Sequence, residues 1–190
     1  MTSFPAELAT YVGRVREFNR RDWLAYGLWI GTIFGLHAVT AGFLLVGRAH
    51  GVSFPAEAYL IPVGALMFTV AIAIDTIGHR TIYRKALEGG EGLVHQITIA
   101  MGVLSVVALV LAYQHRVFVI PAIVFTALSV IYSLVDEVFH WRRYATQQAD
   151  RVEMWSHVLI LTGHGIMMVA WWWFYAIGYP GVRETLEKMS

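Results

Sequence analysis

Five long apolar runs constrain the fold of this chain more than any other feature. A helix needs about 20 apolar residues to cross a bilayer, and each run reaches that length. With 57% hydrophobic residues and a mean hydropathy of +0.58, the chain is too apolar for an ordinary soluble domain. We therefore predict an all-α integral membrane protein with five transmembrane helices, near residues 23–47, 57–79, 93–113, 117–140 and 154–178.

Basic side chains are distributed unevenly between the connections. Ten of the 14 precede the first run or lie between runs two and three or runs four and five. The positive-inside rule places these ten in the cytoplasm. We expect a multi-pass protein of the inner cell membrane, with its N-terminus in the cytoplasm and its C-terminus outside. Residues 1–22 would form a cytoplasmic amphipathic segment with a helix on the membrane surface, 23–178 one transmembrane domain, and 179–190 an external tail.

A polar pattern, D-x3-H-x3-Y followed by E-x3-H, occurs twice within this apolar background. One constant offset relates the first three positions of the two copies, and an offset one residue longer relates the last two. We interpret the pattern as an internal repeat with units at about 57–113 and 117–178. The units would lie parallel, related by a pseudo-twofold axis along the membrane normal. The two copies are Asp75, His79, Tyr83, Glu91 and His95, then Asp136, His140, Tyr144, Glu153 and His157.

The repeated carboxylates and imidazoles are candidate metal ligands. Residues four apart share a face of a helix, so each helix end carries an acid and a histidine on one stripe. Ionisable groups at membrane depth are costly unless they are compensated, and a metal ion is the simplest compensation. Glu91 and Glu153 would bridge ions or complete their coordination in a four-helix cluster near the cytoplasmic surface. The core ligands would be Asp75, His79, His95, Asp136, His140 and His157.

Further residues could support the cluster. His164 lies seven residues beyond His157 and would be an extra ligand, a substrate-facing group or a proton donor; its neighbours Gly163 and Gly165 would allow close helix approach. Tyr83 and Tyr144 would donate to ligand carboxylates. Glu137 forms an E-x-x-H pair with His140, and His37 stands alone in the first span. Asp22 and Asp150 are expected to be surface charges.

Composition and ligand type narrow the function. The chain has no cysteine, which excludes disulfides, cysteine-ligated iron–sulfur clusters and covalently attached haem, and its net charge of +1 argues against nucleic acid as a partner. Imidazole with carboxylate suits two non-haem iron ions, with copper or zinc as alternatives. The predicted function is an oxidoreductase or oxygenase acting on a hydrophobic substrate from the bilayer, such as an acyl chain, isoprenoid or quinone, with an electron-donor protein or an oligomer as partner.

Two other functions use the same histidines. A transition-metal transporter would pass ions through the cluster. A quinone-linked cytochrome would ligate haem b between the helices, although the adjacent carboxylates would then have no clear role. Buried acid–histidine hydrogen bonds without any ion are the purely structural alternative.

Asp75-x3-His79 with His95, and Asp136-x3-His140 with His157, resemble an arrangement in the C subunit of the particulate methane and ammonia monooxygenases. That subunit carries a repeated Asp/Asn-x3-His, followed by a histidine at the start of the next membrane helix. The resemblance covers spans two to five and implies an oxygen-activating copper site in a larger complex. Here the connections are longer, and Glu91 and Glu153 are additional, which shifts the expected ligand set toward iron.

Overall fold

The computed structural model describes residues 3–84, 90–146 and 150–190, and these residues form α-helices and short 3-10 turns without any strand. The 3-10 turns are Arg14–Glu17, Ala56–Tyr59 and Arg116–Phe118. The helices are α1 Phe4–Gly13, α2 Arg20–Ala49, α3 Leu60–Thr81, α4 Gly90–Gln114, α5 Val119–Ala145, α6 Arg151–Ala176 and α7 Val182–Met189.

Helices α2 to α6 are the five predicted membrane spans. Each is long and apolar enough to cross a bilayer, and each begins and ends within a few residues of its predicted bounds. Large apolar side chains are exposed along them, including Val39, Ile120 and Val169 at 71–72% exposure. Such surfaces are stable in lipid and costly in water. The prediction of an all-helical chain with five helices long and apolar enough to span a membrane is therefore confirmed.

The helices pack in a specific order. The two most extensive contacts join α3 to α6 and α4 to α5, and α2 packs against α3. Glycine makes the α3–α6 approach possible: a Cβ on Gly64 would lie 2.6 Å from the Met167 nitrogen, and one on Gly163 would lie 2.7 Å from the Phe68 nitrogen. We expected Gly165 to act similarly, but a Cβ on Gly165 would have no neighbour within 4 Å, so that part of the prediction is wrong.

The N-terminal segment docks on one end of the bundle. Helix α1 contacts α3 and α6, and Tyr11 is buried at 3% exposure. The Tyr11 hydroxyl lies so close to Gly78 that a Cβ there would overlap it. Asp22 is also buried, in a capping box with Asn19 and 3.5 Å from Arg80, which corrects its prediction as a surface charge. Its carboxylate accepts a hydrogen bond from the Asn19 N–H at the start of α2 and so helps to fix where that helix begins.

The C-terminal residues, predicted as a tail, form helix α7 at the opposite end. This helix packs against α2, and Lys188 Nζ donates to the His50 carbonyl oxygen at 2.8 Å. A Cβ on Gly47 would meet Thr185 and Phe54 within 3 Å, so the approach of α7 requires the glycine. The amphipathic pattern of eight residues was too short to reveal this helix from the sequence.

Candidate metal centre

The eight repeated acids and histidines converge at the end of the bundle that carries α1. Each of the helices α3, α4, α5 and α6 contributes one carboxylate and one histidine. Seven of the eight residues are buried, and His95 is half-buried. They are Asp75, His79, Glu91, His95, Asp136, His140, Glu153 and His157, named below the acid–histidine cluster.

Each aspartate of the cluster contacts a histidine of another helix. His157 Nε2 lies 3.0 Å from Asp75 Oδ1, across the α3–α6 interface. His95 Nδ1 lies 2.9 Å from Asp136 Oδ1, across the α4–α5 interface. Each aspartate also faces the histidine four residues later on its own helix, at 3.5 Å for His79 and 3.7 Å for His140. The two aspartates thus have matching surroundings.

The glutamates are arranged less evenly. His140 Nδ1 lies 2.9 Å from Glu153 Oε1, and His140 Nε2 lies 3.7 Å from Glu91 Oε1. The rings of His140 and His157 stack with centroids 3.3 Å apart. His140 therefore touches both glutamates and lies at the centre of the cluster.

Arg143 is the principal site residue that the sequence reasoning missed. Its guanidinium donates to Glu91 Oε1 at 2.7 Å and to Glu91 Oε2 at 3.1 Å, and lies 3.0 Å from Glu153 Oε1. We counted it only as one of the basic residues that set orientation. Its position three residues after His140 puts it on the same face of α5, a signal that could have revealed it.

Arg143 also covers Tyr83, one of the two predicted supporting tyrosines. The guanidinium carbon lies 4.9 Å from the Tyr83 ring centroid, and the Tyr83 hydroxyl accepts a hydrogen bond from the Asp150 N–H at 3.1 Å. Burial raises the pKa of Tyr83 above its ordinary value. Tyr144 lies on the surface at 36% exposure, beside Trp141, so the two tyrosines do not occupy equivalent positions.

Glu137 reaches the cluster from the side of α5 next to Asp136. Its Oε1 lies 3.2 Å from His157 Nδ1, so His157 is held between two acids, Asp75 and Glu137. The rotation of about 100° between consecutive helix residues turns Asp136 toward His95 and Glu137 toward His157. Glu137 therefore supports a histidine that could itself bind an ion.

Buried ligand groups in this cluster could hold a metal ion. In three overlapping sets, one ligand atom from each residue lies within 4.8 Å of the others: His79 with His140 and His157, Asp75 with His79 and His95, and Glu91 with His95 and His140. Within the described part of the chain, neither ring nitrogen of His79 has a hydrogen-bond partner, although both are buried. A buried polar atom without a partner is costly, and an ion or water between these groups would remove that cost.

The other two predicted histidines lie away from the cluster. His164 is two helical turns, about 10 Å, beyond His157 and is buried beside Phe68, with ring centroids 5.6 Å apart. His37 Nδ1 lies 2.8 Å from the Pro62 carbonyl oxygen, near the opposite end of α3. Asp75 is 13 residues from Pro62, about 20 Å along that helix, so His37 links α2 to α3 and does not touch the cluster.

A cavity of about 490 Å³ extends from the acid–histidine cluster between the helices. Asp75, His79, Asp136 and His157 line one end, and apolar side chains of α2 to α6 line most of the rest. The volume is in the range of small-molecule sites. Helices α2 and α4 both line the cavity, yet they are not among the closely packed pairs.

Comparisons of the chain with protein-family models, curated proteins and solved structures find no match. The likeness to the monooxygenase C subunit therefore remains one of residue types and spacing. Functional inference rests on the chain's own residues.

Proposed function

We propose that this protein is a membrane-embedded oxidoreductase with two non-haem iron ions, acting on an apolar or lipid-derived substrate. The observation that carries the proposal is the overlap of three sets of potential ligands at the polar end of a largely apolar cavity. Four histidines and four carboxylates at the ends of neighbouring helices resemble the donor sets of carboxylate-bridged di-iron proteins.

The charge balance favours two ions. Five carboxylates lie in or against the cluster once Glu137 is included, and Arg143 is the one guanidinium that contacts them among the described residues. With neutral histidines, four negative charges remain in a region of low dielectric, where such an excess is strongly unfavourable. Two divalent ions would neutralise it. One ion would leave half of the excess uncompensated.

The contacts support a single site shared by both repeat units. Swapping the two repeat units turns the His157–Asp75 pair into the His95–Asp136 pair. The same swap turns the α3–α6 interface into the α4–α5 interface. Because each interface takes one helix from each unit, we infer a pseudo-twofold axis that passes through the cluster. Arg143 departs from this symmetry, since Ile82 is its counterpart.

Iron is favoured over copper by the acids. Carboxylate oxygens are hard ligands, and Glu91 and Glu153 add two of them to the set implied by the monooxygenase-like pattern. Asp75, His79, His95, Asp136, His140 and His157 would be the core ligands, and Glu91 and Glu153 would bridge or complete the coordination. Bound iron would supply one-electron and dioxygen chemistry.

The site would lie at the cytoplasmic end of the bundle. The ten basic residues near the connections on that side support this orientation, which also places the N-terminus inside and the C-terminus outside. A hydrophobic substrate would enter from the bilayer between α2 and α4 and reach the metal end of the cavity without crossing water. The apolar lining supports this route.

Two alternatives fit the geometry less well. The stacked rings of His140 and His157 leave no flat gap for a porphyrin between them. A transport path would have to continue beyond the cluster, where Arg143 holds Glu91 and Glu153 together and α1 covers α3 and α6. Both alternatives remain as distinct outcomes of the test below.

Metal analysis with absorption spectroscopy tests the proposal. Protein purified without chelators, or reconstituted with iron, should hold about two ions per chain and consume oxygen when given a reductant and membrane lipid. His140→Gln should lose iron and oxygen uptake, while His50→Ala, at an exposed site, should keep both. A Soret band would establish haem, saturable metal flux in liposomes lost in His140→Gln would establish transport, and absence of metal after reconstitution would refute the proposal.

A further inference from the structure

A second layer of residues lies two helical turns beyond the acid–histidine cluster. Its four members are each seven residues from a cluster residue, which places them about 10 Å away along their helices. All four line the cavity. They are Phe68, Gly102, Ser129 and His164, named here the deep layer.

The deep layer breaks the repeat, because its two helix interfaces carry residues of different size. At the α3–α6 interface the layer consists of two rings, Phe68 and His164, in contact at 5.6 Å. At the α4–α5 interface the equivalent residues are small, and a Cβ on Gly102 would already lie 3.4 Å from Ser129 Oγ. Small residues therefore let α4 and α5 approach closely at this depth, while two rings fill the α3–α6 interface, and all four residues line the cavity.

Polar atoms of this region lack partners. Ser129 is 1% exposed, and its Oγ, like Thr98 Oγ1, has no hydrogen-bond partner within the described part of the chain. His164 is buried at 6% exposure. Buried hydroxyls are normally hydrogen-bonded, so a cavity lined by unsatisfied groups has the character of a ligand site.

Charge and spacing indicate the kind of ligand. Arg80 is the one basic side chain lining the described cavity, and it lies at the cluster end, so an anionic head group in the deep layer would have no counter-ion. Ser129 on α5 and His164 on α6 both line the cavity, each two helical turns from a cluster residue, so a ring between these helices could present one oxygen to each side chain.

The donor types narrow the choice further. A serine hydroxyl can donate or accept a hydrogen bond, and a neutral histidine has one nitrogen of each kind. Such groups can bind a carbonyl oxygen and also the hydroxyl formed when that carbonyl is reduced. An ester or acyl lipid offers acceptors alone and does not need this versatility.

We propose that the deep layer binds the ring of a para-quinone or its quinol, with Ser129 and His164 hydrogen-bonded to the ring oxygens and the tail leaving between α2 and α4. This inference rests on the proposed function in that it names the substrate class of the same cavity. The cavity has room for about sixteen water-sized groups at ~30 Å³ each, which suits a substituted ring with the first part of a tail.

Quinone binding to metal-free protein tests this inference separately from the metal site. A short-tailed benzoquinone is titrated into the full chain in detergent after chelation, and quenching of tryptophan fluorescence is recorded, because Trp29 lines the cavity. We expect saturable quenching that is largely lost in Trp29→Phe. Ser129→Ala should weaken binding about five- to tenfold, the usual effect of one lost hydrogen bond, and His164→Leu should do the same.

Ser156→Ala is the matched control, because Ser156 is a buried serine that already donates to the Val152 carbonyl oxygen and does not line the cavity. Its quinone affinity should equal that of the wild type. Ser129→Phe, which copies Phe68 onto the other side, should abolish binding. Equal affinity in wild type and Ser129→Ala, or displacement of quinone by a tenfold lower concentration of a long-chain alcohol or fatty acid, would overturn the inference. Iron content that is normal in Ser129→Ala would show that the metal site is intact.

Discussion

His157 on α6 contacts Asp75 on α3 at 3.0 Å, and the contact joins residues 82 positions apart. Since His95 and Asp136 make the equivalent contact at 2.9 Å, ligands from the two halves of the chain alternate around the cluster. Two of the three overlapping ligand sets combine residues from both halves, and the third, Asp75 with His79 and His95, shares residues with both of these. The first prediction follows from that alternation.

We predict that removing one ligand disturbs both ions. His79→Ala should lose more than half of the bound metal and nearly all redox activity, because His79 belongs to two of the three overlapping ligand sets. Metal stoichiometry and the absorption spectrum should be measured on the same sample, with exposed His115→Ala as control. If half of the metal stayed bound with an unchanged spectrum, the protein would have two independent mononuclear sites instead.

Arg143 should stabilise the metal-free protein. Arg143→Met leaves Glu91 and Glu153 without their guanidinium partner, and breaking a buried ion pair costs about 3–5 kcal/mol. The stabilisation gained on adding metal should therefore be larger in the variant than in the wild type. Thermal unfolding with and without metal measures both effects. Arg142→Met, an exposed neighbour, is the control, and equal stability of the two metal-free variants would contradict the prediction.

The close approach of α3 and α6 should depend on one glycine and not on its near neighbour. Gly163→Ala should separate the helices, because the new methyl would lie 2.7 Å from the Phe68 nitrogen, and should weaken both metal retention and thermal stability. Gly165→Ala meets open space and replaces a poor helix former, so it should be neutral or stabilise by up to about 1 kcal/mol. Similar losses in both variants would show that helix packing is not the cause.

The N-terminal helix should be released by a single methyl group. In Gly78→Ala the added methyl would overlap the Tyr11 hydroxyl, so α1 should leave the end of the bundle. Limited proteolysis in sealed vesicles with the N-terminus facing outward should then cut near residues 14–17 much faster than in the wild type. Gly13→Ala adds a methyl with no neighbour within 4 Å and should leave the rate unchanged. Protection in Gly78→Ala equal to the wild type would disprove the docking.

Reporter fusions test the orientation. Fusions within 85–89 and within 147–149 should both report the cytoplasm, and a fusion after Ser190 should report the outside. The basic residues near the α3–α4 and α5–α6 connections favour this orientation. Opposite results from the two connections would exclude parallel repeat units. These two segments lie outside the residues that the structure describes.

The sequence predicted the helices well because their signal is local. Runs of apolar residues define the spans, and four-residue spacing places an acid and a histidine on one face wherever the helix packs. It also predicted that the repeated acids and histidines would lie in one cluster, and ligand atoms of Asp75, His79 and His95 lie within 4.8 Å of one another. Such statements depend on depth along a helix, which residue numbers give directly.

The sequence could not show which helices pack most closely. The preference for α3 with α6 depends on Gly64 and Gly163 meeting backbone to backbone, a property of two surfaces brought together. Arg143 and Asp22 were misjudged for the same reason. An arginine near a membrane surface usually faces water, and only the position of Glu91, 52 residues away, shows that this one turns inward.

Because α3 pairs with α6, the acid–histidine cluster can form only after α6 has been synthesised. The ribosome completes α4 and α5 in succession, so that helix pair can form as a hairpin while synthesis continues. Helix α3, with Asp75 and His79, is synthesised before α6, the helix with which it packs most extensively. The acid–histidine cluster is therefore completed only when α6 is in place, and a chain truncated before α6 would lack Glu153 and His157, two of the proposed ligands.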